Sequence, residues 1–118
     1  MLPKNARLTT SEDFAKATKS GTRLTSENLV GYLYIAPASQ PQVGGKCGLI
    51  INKSVGGSVT RHRIARQIRH SVAPMIVDLP SNSLLVIRVL KNAPTFTHEV
   101  STLVNSLMSR SVKKAERS

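Results

Sequence analysis

Between residues 58 and 76 apolar residues recur at a helical step while cations gather on the other side, and no other stretch constrains the fold as tightly. Ile64, Ala65, Ile68 and Val72, with Met75 and Ile76 beyond them, fall within one arc at about 100° per residue. Arg63, Arg66, Gln67 and His70 fall on the opposite arc, with His62 and Arg69 along one border. Such a helix lays its apolar stripe on a core and keeps a cationic side for something else. The turn Val55-Gly56-Gly57-Ser58 precedes it, with the serine placed to cap the helix. Pro74 bends or ends it, since its ring removes a backbone donor and clashes with the preceding turn.

The flanking segments have a different period. Residues 46–53, with the run Leu49-Ile50-Ile51, and residues 83–90 read as strands, and so does the apolar and aromatic stretch 29–35. Residues 37–45 carry two Pro and two Gly and form a loop. A first helix starts near Thr9, where Thr9-Thr10-Ser11-Glu12 makes a capping box, and stops at Gly21. A last helix begins about Thr97, with Val100, Leu103, Val104, Leu107 and Met108 in a core-facing stripe. The order α-β-β-α-β-α, with room for a hairpin near Arg23, predicts one α+β layer sandwich. The domain is expected over residues 1–108, and residues 109–118 read as a basic tail that frays.

Charge narrows the function. Seventeen Lys and Arg against six acids leave a net +11, and no carboxylate stands between Glu27 and Asp78. Over that span Lys46, Lys53, Arg61, Arg63, Arg66 and Arg69 supply six positive charges. A field of one sign attracts a polyanion and gains by releasing its condensed counterions. The basic stretch lacks the bulky apolar wedge of an interfacial membrane helix, so nucleic acid fits better. The longest mainly apolar stretch, 84–90, is interrupted by Arg88 and too short to span a bilayer, and the N-terminus lacks the core of a signal peptide. Cys47 is the lone cysteine, which rules out an internal disulfide; the expected location is the cytoplasm.

Most charge runs are simply solvated faces. Two features oppose that reading here: no acid stands within reach for i, i+4 pairs, and the charges are arginines, whose forked donors match phosphate oxygens. Residue types and periodicity leave RNA and DNA both open.

The segment 52–70 also resembles the signature of the bacterial ribonuclease P protein family: a Lys, a Gly-containing turn, Ala-Val, then Arg-Asn-Arg-Ile-Lys-Arg and a further Arg. Lys53, Gly56, Val59, Arg61, Arg63, Ile64, Arg66 and Arg69 stand at matching positions. Upstream, Arg7-Leu8, Glu12-Asp13-Phe14 and Gly21-Thr22 are similar to the family's opening, and Tyr32 matches a usual strand aromatic. The resemblance implies a four-stranded mixed sheet packed by three helices, ribosomal protein S5 domain 2-like, with a left-handed β-α-β crossover; sequence pattern alone predicts the right-handed default. It implies two RNA-facing surfaces. The first is the arginine helix with its turn: Arg61, Arg63, Arg66 and Arg69, then Lys53 and His62. The second is a cleft between the first helix and the sheet for the single-stranded 5′ leader of precursor tRNA, onto which Phe14 and Tyr32 map, with Lys16 and Lys53 nearby as charge. A leader cleft needs aromatic faces for stacking and cations for the backbone. For Phe14 core packing is the commoner role, and for Tyr32 a half-buried strand position is equally ordinary.

The chain departs from the family's pattern at His62 for Asn, Ala65 for Lys, and Thr18 for a second aromatic. These changes keep the charged surface and thin the aromatic cleft, so weaker dependence on leader sequence is expected. The implied function is that of the protein subunit of ribonuclease P, a monomer in a 1:1 complex with the ribonuclease P RNA. It would bind precursor tRNA while Mg²⁺, held mainly by RNA phosphates, serves the hydrolysis. The six acids are scattered, His62, His70 and His98 lack ligand spacing with Cys47, and the turn lacks a phosphate-loop ending, so no catalytic or metal-binding residue is expected in this chain. The alternatives are a structural RNA-binding protein of the ribosome or another ribonucleoprotein, and a DNA-binding module, for which Gln67 is the one base-reading amide beside the arginines.

Overall fold

A computed structural model describes residues 11–35, 45–79, 83–93 and 96–117. Helix α1 (Ser11–Ser20) leads into strands β1 (Thr22–Thr25) and β2 (Leu29–Ile35). Strand β3 (Lys46–Ile51), helix α2 (Ser58–Val72), strand β4 (Ser83–Val89) and helix α3 (Thr97–Arg117) follow. The strands form one sheet in the order β1-β2-β4-β3. β1 pairs antiparallel with β2, β2 antiparallel with β4, and β3 parallel with β4. The sheet is therefore mixed, and α2 is the crossover that a parallel neighbour requires.

Period-two alternation gives the sheet two distinct faces. Leu29 and Leu33 of β2, Cys47 of β3 and Leu85, Ile87 and Val89 of β4 join one core with Ile64, Ile68 and Val72 of α2 and Val100, Leu103, Val104 and Leu107 of α3. Val30 and Tyr32 of β2 and Val86 of β4 face the other way and pack with Ala17 of α1. Strand β4 is buried on both sides from Leu85 to Ile87, as a central strand must be. Gly31 is needed where α3 crosses β2, because a Cβ there would lie 2.6 Å from Leu107 Cδ1 and 3.0 Å from Leu103 Cδ2.

The expected hairpin at Arg23 is present, and strand 29–35 has the bounds read from sequence. Two expectations shift, and one left open is decided. β3 stops at Ile51, and Lys53–Val55 form a 3-10 turn instead of the strand's end. Ser58 is the first residue of α2 and caps nothing; Gly57 holds the cap position in extended backbone, and its carbonyl accepts from the Arg61 N–H at 2.9 Å. Pro74 ends the α-helix: α2 stops at Val72 and the chain tightens into a 3-10 stretch, Ala73–Asp78, with the proline in its first turn, where its missing N–H costs nothing. Helical backbone continues in α3 to Arg117. The capping box from Thr9 and the loop 37–44 lie outside the described residues, whereas Gly21 does stop α1, its N–H donating to the Ala17 carbonyl at 3.0 Å.

Glu99, in the first turn of α3, ties that helix to the β1–β2 turn. Its carboxylate accepts from the Asn28 N–H at 2.7 Å, from Asn28 Nδ2 at 3.0 Å and from the Ser26 hydroxyl. Burial alone would raise its pKa, but these donors outweigh burial and hold it below the ordinary carboxylate value. A depressed carboxylate stabilises the fold at neutral pH, and that contribution disappears as pH falls through the folded-state value. Glu99→Ala should therefore cost roughly 1–2 kcal/mol in urea unfolding at pH 7, and the gap to wild type should narrow as the carboxylate is protonated in acid. Cys47, 3% exposed, has its thiol pushed up to about 12 by burial, with the Arg69 charge opposing in part. On the order of one thiol in ten thousand is then ionised at pH 8, so mass spectrometry should find Cys47 unmodified by iodoacetamide in the native protein and alkylated in urea.

Candidate nucleic-acid interface

Three fully buried residues fix the rotation of α2. Ile64, Ile68 and Val72 are each 0% exposed, which ties the direction of every other side chain on the helix to the sheet. Arg63, Arg66 and His70 then stand exposed along the outer side at i, i+3, i+7 spacing. Arg61 and Arg69 take another course. They lie eight positions apart and are only partly exposed, Arg69 close enough to Cys47 of β3 for its charge to act on the thiol. The four arginines thus make an outer pair and a half-buried pair. A border position for Arg69 follows from the helical arc, and the same step puts Arg61 in the arc of Ile64, Ile68 and Val72.

Arg61 holds that turn. Its Nε donates to the Gly56 carbonyl at 3.2 Å, while the Gly56 N–H donates to the Lys53 carbonyl at 3.2 Å. Gly56 leaves the needed room, since a Cβ there would meet Thr60 Cγ2 at 2.8 Å. No side chain caps the start of α2 and no acid lies in its first turn, so its opening N–H groups and partial positive charge stay available to an anion. Lys53 and His62 are exposed beside it, and Val59 projects to 84% exposure. Arg63 Nη2 donates to Asn92 Oδ1 at 2.6 Å, which steadies that guanidinium against the chain entering α3. Among the described residues no carboxylate is paired with an arginine of α2. A helix bearing four arginines with no carboxylate partner among the described residues is suited to meet an external polyanion.

The other sheet face carries a second constellation. Phe14, half-buried on α1, packs with Tyr34, Ile50 and Leu84 against the cluster of Ala17, Val30, Tyr32 and Val86. Tyr32 is 8% exposed, so its ring serves mainly as core in this arrangement, while Tyr34, two residues on and on the same face, is more open. Thr18 donates its hydroxyl to the Phe14 carbonyl at 3.0 Å and presents no ring. Lys16 pairs with Glu12 at 3.5 Å across one turn of α1, an exposed contact that little restrains it. Register places Arg23 opposite Tyr32, and Arg88 opposite both Val30 and Ile50, so both cations belong to the α1 side of the sheet. Strand parity from Tyr32 and Val86 could have identified Tyr34 and Arg88, but the position of Arg23 needed the pairing. Among the described residues no three His, Cys, Asp or Glu side chains gather where a metal ion could be held.

The model of the family described as Ribonuclease P matches residues 2–115. This chain belongs to the ribonuclease P protein family. A ribonuclease P protein component of a Mycobacterium species (strain KMS) is 40% identical over 97 residues, covering 82% of this chain and 80% of the relative. That of Corynebacterium diphtheriae is 37% identical over 102 residues, covering 84% and 86%. The fold is shared with the ribonuclease P protein of Staphylococcus aureus (TM-score 0.70, 17% identity, 92% of this chain and 96% of that one). It is shared also with that of Thermotoga maritima (TM-score 0.63, 18% identity, 87% and 96%). A ribosomal structural role is not favoured by these matches, and no helix among the described residues is long and apolar enough to cross a membrane.

The two classes of arginine should separate in equilibrium urea unfolding. Arg66→Ala is expected to stay within about 0.5 kcal/mol of wild type, as an exposed substitution does. Arg61→Ala should lose roughly 0.5–1.5 kcal/mol with the bond to Gly56.

Proposed function

We propose that the chain is the non-catalytic protein subunit of ribonuclease P, binding the catalytic RNA and the 5′ leader of precursor tRNA during removal of that leader. The observation that carries the reading is the α2 surface: four arginines with no carboxylate partner among the described residues, on a chain of this family. Arg63 and Arg66 grip phosphates directly, Lys53 and His62 extend the contact around the turn, and the half-buried Arg61 and Arg69 add charge behind them. Such contacts orient the protein on folded RNA and need no base reading. The α1-side face takes the leader, with Phe14 and Tyr32 in its floor, Tyr34 beside them, and Lys16, Arg23 and Arg88 offering charge to the backbone. With Thr18 in place of a ring and Tyr32 largely covered, this cleft grips through charge more than through stacking.

Hydrolysis belongs in this reading to the RNA, with Mg²⁺ held mainly by RNA and substrate. In this reading the chain supplies no metal ligand and no acid–base group to the reaction. Its own contribution is to lower repulsion between two polyanions and hold the substrate in place. The protein acts as a monomer in a 1:1 complex with its RNA, in the cytoplasm.

The test is reconstitution. Added to a bacterial ribonuclease P RNA at low Mg²⁺, the purified chain should enhance 5′-leader removal from precursor tRNA; no enhancement, with the RNA active at high Mg²⁺, would refute the reading. If about four phosphates are neutralised, log affinity against log salt should fall with a slope of roughly −3 to −4, and Arg66→Ala should make it shallower by about 1.

A further inference from the structure

Between the outer side of α2 and the start of α3 lies a groove of about 350 Å³ lined by Arg66, Gln67, His70, Ser71 and Thr97. Its size is within the range of small-ligand sites, about 300–1,000 Å³. Arg66 and His70 stand one helical turn apart at its lip, both exposed, and no carboxylate lines it. Gln67 lies between them in the chain. Its Oε1 is covered and meets no donor among the described residues, an arrangement native proteins seldom tolerate without a use for it. The Ser71 hydroxyl does not answer it, because that group donates to the Gln67 backbone carbonyl at 2.9 Å.

We infer that this groove is a ribose-phosphate site, in which Arg66 and His70 hold a phosphate and Gln67 accepts a hydrogen bond from the 2′-hydroxyl of the same nucleotide. Arg66 offers a fork of N–H donors and His70 a ring N–H, the chemistry a phosphate oxygen wants. In a ribonucleotide the 2′-hydroxyl sits on the carbon next to the one bearing the 3′-phosphate. A phosphate anchored at residues 66 and 70 therefore brings that hydroxyl to residue 67, where rotation of the amide turns the carbonyl into the groove. The 2′-hydroxyl is the donor that distinguishes RNA from DNA. Gln67 thus becomes a specificity residue, and the base-reading role that a DNA-binding helix would give it is replaced by sugar reading. The inference rests on the proposed RNA-binding function and adds to it a way for the helix to prefer RNA over DNA.

Fluorescence anisotropy with the full chain tests it, using a single-stranded RNA 12-mer and its 2′-deoxy counterpart with uracil kept as the base. Gln67→Met should reduce the RNA-over-DNA affinity ratio by roughly three- to tenfold, the worth of one hydrogen bond. It should also raise the melting temperature, because the unanswered carbonyl is gone. Arg66→Ala should weaken both ligands. A Gln67→Met protein with the wild-type ratio would overturn the inference, as would a ratio that follows base identity and not the sugar. Should that variant fail to fold, the wild-type protein still decides the matter by NMR. The Gln67 side-chain amide signals should shift on titration with uridine 3′-monophosphate and move less with the 2′-deoxy analogue; equal shifts would sink the idea. Loss of enhancement in the reconstitution assay with an intact RNA preference would refute the subunit role alone, so the two failures are distinguishable.

Discussion

The burial of Ile64, Ile68 and Val72 against the sheet is the constraint on which the rest depends. Each such side chain contributes roughly 1.5–3 kcal/mol by leaving water, far more than any exposed arginine contact. Apolar packing therefore sets the helix rotation, and the cations take the directions left to them. That is why Arg63 and Arg66 face outward while Arg61 and Arg69, on the same short segment, are half-buried. Charge gives this surface its use, but packing decides its shape.

The sheet works with two unlike faces. One is covered by α2 and α3 and closes into a core that includes Cys47, where an ionised thiol would be costly. The other is covered by the ten-residue α1, and its cluster is small. Half-buried Phe14, Tyr34, Ile50 and Leu84 surround the few fully covered residues there. A face only partly sealed by one short helix is suited to an extended guest, and the register sets Arg23 and Arg88 on that side.

Much of this was legible in the sequence because it rests on periodicity. The apolar steps of α2 and α3, the apolar and aromatic run of strand 29–35 and the stop at Gly21 each depend on neighbours a few residues away. What escaped depends on partners distant in sequence. Ser58 looked like a cap, but the Gly57 carbonyl and the Arg61 side chain organise that turn together. Arg88 looked like an interruption in an apolar run until pairing with Val30 and Ile50 assigned it a face. Tyr32 matched a family aromatic, yet the packing of Ala17 and Val86 beside it settles how much of its ring stays open. The latch of Glu99 onto Ser26 and Asn28 spans more than seventy residues and has no local signature.

The position of α2 between the parallel strands β3 and β4 carries a consequence for how the molecule matures. β4 also has to meet β2, from much earlier in the chain, and such non-local pairing is slow to assemble. The arginine-bearing segment is itself the covalent bridge across the newest edge of the sheet. Correct display of its guanidinium groups is thus a by-product of finishing the sheet, and a partly assembled chain carries the same charge without the same spacing.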